Sequence, residues 1–256
     1  MVERALERAA ATVEMARVGM GQALGLVSSR SNDGAFTQSA ESFRWTGTLG
    51  AGRILEVKGI NGDVIVERTS GNEIEVTATA RARRSDASEI RVDVVEHTGG
   101  VTICAVYPTP RGRRENYCAT GSDGRMNSCD NDTQVEFRVR LPAGVSLTGR
   151  TVNGDLKALE LASGVVLSTV NGDVDVSTTG YAEASTVNGS IDARIGRVNS
   201  EGCLSFETVN GSVTLDLPDD VDADLDARWV NGDLDSNLPL RIEGRVSPRR
   251  IQGDAG

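Results

Sequence analysis

The sequence predicts an all-β fold: a β-solenoid of short repeats, preceded by an irregular β region and a short N-terminal amphipathic helix. The first observation is a repeated motif. Thr-Val-Asn-Gly occurs four times and a variant that opens on tryptophan follows, with first residues Thr151, Thr169, Thr186, Thr208 and Trp229. The motif asparagines are 18, 17, 22 and 21 residues apart. Helix-pair repeats need about 33 residues or more, so each unit holds two short strands and two turns.

The second observation is the alternation of apolar and polar residues around each motif, which is typical of strands. Leu204 and Phe206 share a parity with Thr208, and Val213 and Leu215 alternate in the same way after the motif. The threonines therefore point inward, where each hydroxyl needs a hydrogen-bond partner. We expect a structural ladder of inward threonines and corner asparagines, with a tryptophan in the last unit: Thr151, Asn153, Thr169, Asn171, Thr186, Asn188, Thr208, Asn210, Trp229 and Asn231.

Asn-Gly permits two interpretations of the chain path. It is the strongest short hairpin sequence, because both residues tolerate positive φ, and an antiparallel meander is the first interpretation. In the second, each Asn-Gly is one corner of a coil, and stacked asparagine amides hydrogen-bond along the axis. A meander requires only Asn-Gly, whereas the solenoid also explains why Thr and Val recur with it. We therefore favour the solenoid.

Three segments follow from these patterns. Residues 1–34 hold the helix and a linker, 35–145 an irregular β region with a long polar loop at 108–132, and 146–256 the repeat solenoid. The helix at 2–27 carries apolar residues at helical spacing. Its first 17 residues have as many acids as arginines, so attraction to anionic lipid is weak and a protein partner is expected. The partner-docking positions are Val2, Leu6, Val13, Met20 and Leu24.

Charge and hydropathy argue against two classes of function. Residues 1–150 carry 19 basic and 19 acidic side chains and residues 151–256 carry 8 and 18, so the whole net charge of −10 lies in the repeats. An acidic surface repels phosphate backbones, which makes nucleic acid an unexpected partner. No stretch approaches the roughly 18 uninterrupted apolar residues of a transmembrane helix. We recognise no signal peptide either, so the export route stays open.

Candidate catalytic residues are few. His97 is the only histidine, so a histidine-rich metal site is excluded and a Ser-His-Asp triad would depend on this one residue. The glycine-rich run at 19–25 lacks the βαβ context of a dinucleotide-binding loop. Carboxylates are abundant, but they lack the aromatic and basic neighbours of carbohydrate chemistry. We therefore expect no catalytic residue, no metal and no cofactor.

Two acidic sets are interpreted as solvated. In the long loop, four oxygen-bearing side chains match no EF-hand spacing: Asp123, Asp130, Asn131 and Asp132. Before the last motif, four acids alternate along one predicted strand: Asp220, Asp222, Asp224 and Asp226. Alternate strand residues lie about 6.6–6.8 Å apart on one face, so this row repels itself. We expect water to screen this repulsion, and bound cations or a basic partner are the alternatives.

Taken together, these residues resemble the bacterial DUF4097 family of adhesin-like β-strand-repeat proteins. The similarity covers residues 43–253, from Phe43-Arg44-Trp45-Thr46-Gly47 through Gly59-Ile60-Asn61-Gly62-Asp63-Val64 to the repeats. Thr102-Ile103-Cys104-Ala105-Val106-Tyr107-Pro108 and Arg245-Val246-Ser247-Pro248-Arg249-Arg250 are also similar. The resemblance implies an all-β, solenoid-like fold and an envelope location, periplasmic or at the cell surface. It implies no reaction.

The four cysteines bear on the compartment. Cys104, Cys118 and Cys129 surround the long loop, Cys203 lies in the repeats, and the absence of a Cys-x-x-Cys pair argues against zinc. In an oxidising compartment, a disulfide among the first three would close the loop and stabilise it by about 2–4 kcal/mol. Cys104 and Cys118 are the disulfide candidates, because Cys104 lies within the family-like strand. Free thiols in a reducing compartment are the alternative.

The sequence thus predicts a non-enzymatic envelope scaffold, an adhesin-like protein-interaction module. One alternative is a peripheral structural subunit that stabilises a membrane protein complex, held through the helix at 2–27. For that helix we favour another subunit as the partner over the open end of its own solenoid. The other alternative is a carbohydrate-active enzyme on a β-helix. Only this last alternative predicts carboxylates that converge in a cleft.

Overall fold

The structure is a computed structural model that describes residues 41–196, 204–218, 223–237 and 250–255. This part of the chain is all-β, with eighteen strands and one 3-10 turn at Ala87–Glu89. The all-β prediction is confirmed. The predicted helix at 2–27 and its linker lie outside the described residues, so the structure does not address them.

The strands, numbered in chain order, form two nine-stranded sheets. Sheet A runs in the order β1 (Glu41–Gly47), β4 (Ile74–Arg81), β7 (Gln134–Pro142), β3 (Val64–Thr69), β9 (Leu156–Leu161), β11 (Val174–Thr178), β13 (Ile191–Ile195), β15 (Val213–Asp216) and β17 (Leu234–Ser236). Sheet B runs in the order β18 (Arg250–Ala255), β16 (Ala223–Asn231), β14 (Leu204–Asn210), β12 (Ala182–Asn188), β10 (Val165–Ser168), β8 (Ser146–Arg150), β2 (Ile54–Lys58), β6 (Gly100–Val106) and β5 (Arg91–His97).

Successive strands of the repeats alternate between the two sheets. From β8 to β17, even-numbered strands lie in sheet B and odd-numbered strands in sheet A, and neighbours within each sheet are parallel. Each Asn-Gly therefore connects a strand of sheet B to a strand of sheet A, and we call such a strand pair with its turn a layer. This parallel pairing makes the antiparallel-meander interpretation wrong for the described repeats.

Both sheets are mixed, because antiparallel strands flank the parallel ones. In sheet A, β4 pairs antiparallel with β1 and with β7, and in sheet B β5 pairs antiparallel with β6 and β18 with β16. The strands β2 and β3 form an additional layer around Asn61, paired in parallel with β8 and β9. The irregular β region and the repeats therefore share both sheets.

The core fills the space between the sheets. In sheet A, Leu156, Val174, Ile191 and Val213 stand in register on successive strands, and all are buried. Each such side chain contributes about 1.5–3 kcal/mol through its removal from water. In sheet B, neighbouring strands place the buried alanines Ala184 and Ala227 beside the buried Phe206, so small side chains flank the large ring.

Candidate functional site

A column of asparagine side chains forms the corner where the chain passes from sheet B to sheet A. From Asn153 onward, each Nδ2 donates to the Oδ1 of the asparagine in the preceding layer at 2.7–2.8 Å, and the column comprises Asn61, Asn153, Asn171, Asn188, Asn210 and Asn231. The amides face solvent along the column. Because each inner asparagine uses both its donor and its acceptor, the column ties adjacent layers together along its whole length.

The motif threonines point into the core beside this corner. Thr151, Thr169, Thr186 and Thr208 are at most 2% exposed. The Oγ1 of Thr169 donates to the carbonyl oxygen of Gly154 at 3.1 Å, and Thr186 and Thr208 make the equivalent bond to the glycine of the preceding layer at 2.9 and 2.8 Å. Trp229 stands opposite Thr208 in the parallel register and is half-buried. The threonine bonds hold each turn against the next.

The glycine and the acid that follow each asparagine complete the corner. A Cβ on Gly172 would lie 2.0 Å from the carbonyl oxygen of Gly154, at a φ of +156°. Only glycine therefore fits between two stacked turns. The carboxylate of Asp155 accepts the backbone N–H of Asp173 at 2.9 Å, and Asp173 accepts that of Ser190 at 2.8 Å. The sequence motif contains this Asp/Ser position, but the sequence argument gave it no role.

The two outer faces of the repeats differ in charge. On sheet A, β9 to β17 present two cations and five anions: Lys157, Arg194, Glu160, Asp175, Asp192, Asp216 and Asp235. On sheet B, the described side chains of β8 to β16 present two cations and three anions: Arg150, Arg228, Glu183, Glu207 and Asp226. Arg228 and Asp226 form an ion pair with each other. Over these described side chains, anions therefore exceed cations by three on sheet A and by one on sheet B.

The long loop is folded onto the outer face of sheet B. Cys104 on β6 and Cys118 in the loop form a disulfide, with Cα atoms 5.7 Å apart. Tyr117 and Arg125 exchange two backbone hydrogen bonds at 2.8 and 3.0 Å, which closes the tip of the loop into a short hairpin. The Nδ2 of Asn116 holds the hairpin's base through the carbonyl oxygen of Tyr107 at 2.9 Å. Cys129 is an exposed free thiol.

A buried ion pair lies beneath this hairpin. Lys58 and Glu56, both on β2, are 1% and 4% exposed, and Lys58 Nζ lies 3.5 Å from Glu56 Oε1. Lys58 donates to the carbonyl oxygens of Ala119 and Gly121 at 2.5 and 2.7 Å. Glu56 Oε2 accepts the backbone N–H of Gly121 at 2.9 Å. Burial lowers the pKa of Lys58 below its ordinary value, and Glu56 opposes that shift.

Sequence reasoning missed this pair. Lys58 and Glu56 occupy the outward parity of β2, and outward charges are normally solvated. One observation could have drawn attention to it: Lys58 and Lys157 are the only lysines among 27 basic residues. The compact ammonium of Lys58 has three donors and reaches two loop carbonyls and Glu56 together.

His97 belongs to the same network as a structural residue. Its Nε2 lies 3.3 Å from Thr102 Oγ1, and that hydroxyl donates to Glu56 Oε2 at 2.9 Å. Its Nδ1 accepts the backbone N–H of Gly99 at 3.2 Å. The neutral tautomer with the proton on Nε2 satisfies both contacts. His97 thus closes the β5–β6 hairpin.

The loop carboxylates serve the backbone. Asp132 accepts the N–H groups of Ser85 at 2.9 Å and Arg84 at 3.1 Å, and these hydrogen bonds lower its pKa to about 2. The backbone carbonyl of Asp123 lies 3.4 Å from Lys58 Nζ. In the described parts of the chain, no group of three His, Cys, Asp or Glu side chains could hold a metal ion.

Several predicted positions are not addressed. The docking residues Val2, Leu6, Val13, Met20 and Leu24, together with Cys203, Asp220 and Asp222, lie outside the described residues. Over the ranges that the structure does cover, no helix has the length and apolar character to cross a bilayer. One open groove of about 460 Å³ borders Glu160, Asp216, Arg68 and Arg194 at the end of the sheet A strands.

Comparisons with known proteins show no family. No family model matches the sequence, and no curated protein matches it. Among solved structures, the chain is similar to a candidate cell adhesion protein from Clostridium sporogenes ATCC 15579, with 8% identity, 78% of this chain and 96% of that chain covered, and a TM-score of 0.40.

Two candidate adhesins show weaker similarity. One, from Bacteroides fragilis NCTC 9343, has 8% identity and a TM-score of 0.28, with 77% of this chain and 98% of that chain covered. The other, from Parabacteroides merdae ATCC 43184, has 9% identity and a TM-score of 0.21, with coverages of 77% and 96%. The DUF4097 resemblance stays an interpretation of the motifs, and function has to follow from this chain's own residues.

Proposed function

We propose that this chain is a non-enzymatic, adhesin-like scaffold of the bacterial envelope, built as a β-solenoid, that binds a protein partner on the outer face of sheet B. The observation that carries the proposal is the composition of that face. Around its five charged side chains, the outward positions of β8, β10, β12 and β14 are serine, threonine and valine. Protein interfaces are depleted of charge at their centres, because charged groups are costly to desolvate.

A line of valines along one margin of this face adds apolar area. They occupy the position between the motif threonine and asparagine and are half-buried: Val152, Val170, Val187, Val209 and Val230. The five parallel strands from β8 to β16 span about 19 Å at the usual spacing between strands. The surface is therefore broad, which suits another folded protein better than a small ligand.

The opposite face supports this choice of partner and of side. Docking on sheet A would remove five anions from water against two cations, Lys157 and Arg194, and Arg194 already pairs with Asp175 and Asp192. The remaining acids would require cations from the partner. Sheet B requires a smaller complement, because its described side chains hold three anions against two cations and Arg228 already pairs with Asp226. We therefore propose a partner with a flat surface of low net charge. A subunit of a membrane protein complex is one kind of protein that fits this description.

Two further features support an extracytoplasmic, non-catalytic role. The Cys104–Cys118 disulfide is a bond that persists in oxidising compartments such as the periplasm or the cell surface. Glu56, the one buried carboxylate among the described residues, is held by Lys58 and Thr102, and the loop carboxylate of Asp132 is held by backbone N–H groups. Both carboxylates therefore serve the fold, and we assign neither a catalytic role.

Substitutions on opposite faces test the proposal. Val187→Glu places a charge on the outer face of β12, and Thr214→Glu places the same charge on the exposed outer face of β15. We expect affinity capture from the native envelope to lose its partner with Val187→Glu and to keep it with Thr214→Glu. Capture that survives Val187→Glu, or that fails with Thr214→Glu alone, would contradict the proposed face.

The enzyme alternative has its own test. Incubation with a panel of acidic and neutral polysaccharides should release no new reducing ends and no unsaturated products. Turnover that disappears in a Glu160→Gln or Asp216→Asn variant would show a hydrolase or lyase at the open groove.

A further inference from the structure

The outer face of sheet B continues beneath the long loop. Lys58 on β2 pairs in register with Arg150 on β8 and with Cys104 on β6. Glu56 likewise pairs with Thr148 and Thr102. The outward rows of the proposed docking face therefore extend over two more strands. There they are covered by the hairpin of residues 117–125, which we call the cover.

The contacts of the cover fall into three kinds. The disulfide from Cys104 to Cys118 is the covalent link. Polar contacts join Lys58 and Glu56 to the backbone of residues 119–121. The third kind is a small apolar cluster beneath the cover: Cys104, Val106 and Cys118, with Val95 and Met126 at its margin.

The non-covalent contacts alone hold the cover weakly. Lys58 and Glu56 are charged groups that water can reach when the cover leaves, and water then replaces their hydrogen bonds to the cover's backbone. Glu56 keeps its contacts with Thr102 and Arg150, which lie outside the cover. The apolar cluster contains two cysteines and one valine at its centre, so little apolar area returns to water. The disulfide is therefore the contact that decides whether the cover stays closed.

We propose that residues 117–125 are a redox-latched cover over a two-strand extension of the docking face, an inference that rests on the proposed function of sheet B. The cover is closed while Cys104 and Cys118 are oxidised. A dithiol reductant of the thioredoxin class opens it: one reductant thiolate attacks the Cys118 sulfur and Cys104 leaves as a thiolate. The second reductant thiol then releases Cys118, so two protein thiols and one reductant disulfide result.

Both cysteines are buried, but Cys118 is the more exposed, at 7% against 1% for Cys104, so it is the sulfur that the reductant reaches first. Opening exposes Glu56, Lys58 and Thr102, which extend the rows of Thr148 and Arg150 on β8. The chain contains its own reporter for this change, because Lys58 lies under the cover and Lys157 is exposed on β9.

Amine labelling followed by peptide mass spectrometry tests the latch. The full chain is treated with an amine-acylating reagent, either oxidised or reduced by a dithiol. We expect Lys157 to react at the same rate in both states, and Lys58 to react about a hundredfold faster after reduction. Cys118→Ser should give fast Lys58 labelling without reductant. Cys129→Ser, which keeps the disulfide, should behave as the unmodified chain.

Three results would overturn the latch. The first is Lys58 protected equally in both states, and the second is Lys58 labelled as fast as Lys157 in the oxidised chain. The third is loss of amide-exchange protection at Val174 on β11 together with exposure of Lys58, since the disulfide would then hold the whole fold.

The two experiments test the redox-latched cover and the docking face independently, so one proposal can be wrong while the other stands. If labelling behaves as expected while Val187→Glu leaves partner capture unchanged, the cover stands and the proposed face is wrong. If Val187→Glu abolishes capture while Lys58 stays protected after reduction, the face stands and the latch is wrong.

Discussion

Replacing Asn171 by alanine should destabilise the chain by about 1–2 kcal/mol. Asn171 Nδ2 donates to Asn153 Oδ1 and its Oδ1 accepts from Asn188 Nδ2, both at 2.8 Å, so the substitution removes two amide hydrogen bonds. Each contributes about 0.5–1 kcal/mol net. The sequence alone suggests a cost of about 1–3 kcal/mol through unpaired corner groups. The structure restricts the expected cost to the lower part of that range, because the corner faces solvent and water can hydrogen-bond the amide groups that lose their partner.

The last asparagine of the column supplies the matched control. Asn231 donates to Asn210 at 2.7 Å and ends the column within the described residues. Asn231→Ala therefore removes one column bond and should cost about half as much, roughly 0.5–1 kcal/mol. Urea unfolding followed by circular dichroism measures both values, with equal slopes required for the comparison. A cost for Asn171→Ala no larger than that of Asn231→Ala, or no cost at all, would refute the reasoning.

Three further predictions follow from buried groups. Burial raises the pKa of Tyr107 from 10.0 to about 12. Stability that is fully present below pH 10 should therefore fall by up to about 3 kcal/mol between pH 10 and 12, and Tyr107→Phe should abolish that fall in alkaline denaturation curves. Thr169→Val removes the hydroxyl that donates to the carbonyl oxygen of Gly154 and should cost about 1–3 kcal/mol in urea unfolding. Thr169→Ser keeps the hydroxyl and should cost less. Lys58→Met leaves the buried Glu56 with Arg150, whose Nε lies 3.8 Å from Glu56 Oε1, as its remaining cation, and should cost up to about 3–5 kcal/mol by the same assay. Adding Glu56→Gln should recover part of this cost, and no recovery would contradict the pairing.

The all-β class could be predicted because alternation and repetition are local properties of the sequence. Leu204, Phe206 and Thr208 alternate on one face whatever the strands pair with, so the inward side could be predicted before the sheets were known. The direction of pairing could not be derived from Asn-Gly alone, which fits a hairpin or a corner. The additional residues Thr and Val favoured the corner, and the register of Asn188 with Asn210 in parallel strands agrees with it.

The contacts that the sequence could not provide are those between distant segments. Asn61 and Asn153 are 92 residues apart and hydrogen-bond side by side, which requires knowing that β2 and β3 join the repeat sheets. Lys58 meets the loop carbonyl of Gly121 across 63 residues. Without knowledge of the loop's path, a lysine at an outward position of a strand is expected to be solvated. The backbone hydrogen bonds that Asp155 and Asp173 accept could not be predicted either, because a surface carboxylate in a turn has many possible hydrogen-bond donors around it.

Site-specific photo-crosslinking in the native envelope tests the central claim of a protein partner on sheet B. A photoreactive amino acid at Ser205 on β14 lies on the outer face of sheet B, and one at Thr214 on β15 lies on the outer face of sheet A in the same layer. We predict a discrete cross-linked protein from Ser205 and none from Thr214. Cross-links from Thr214 but not from Ser205, or from neither position, would contradict the account.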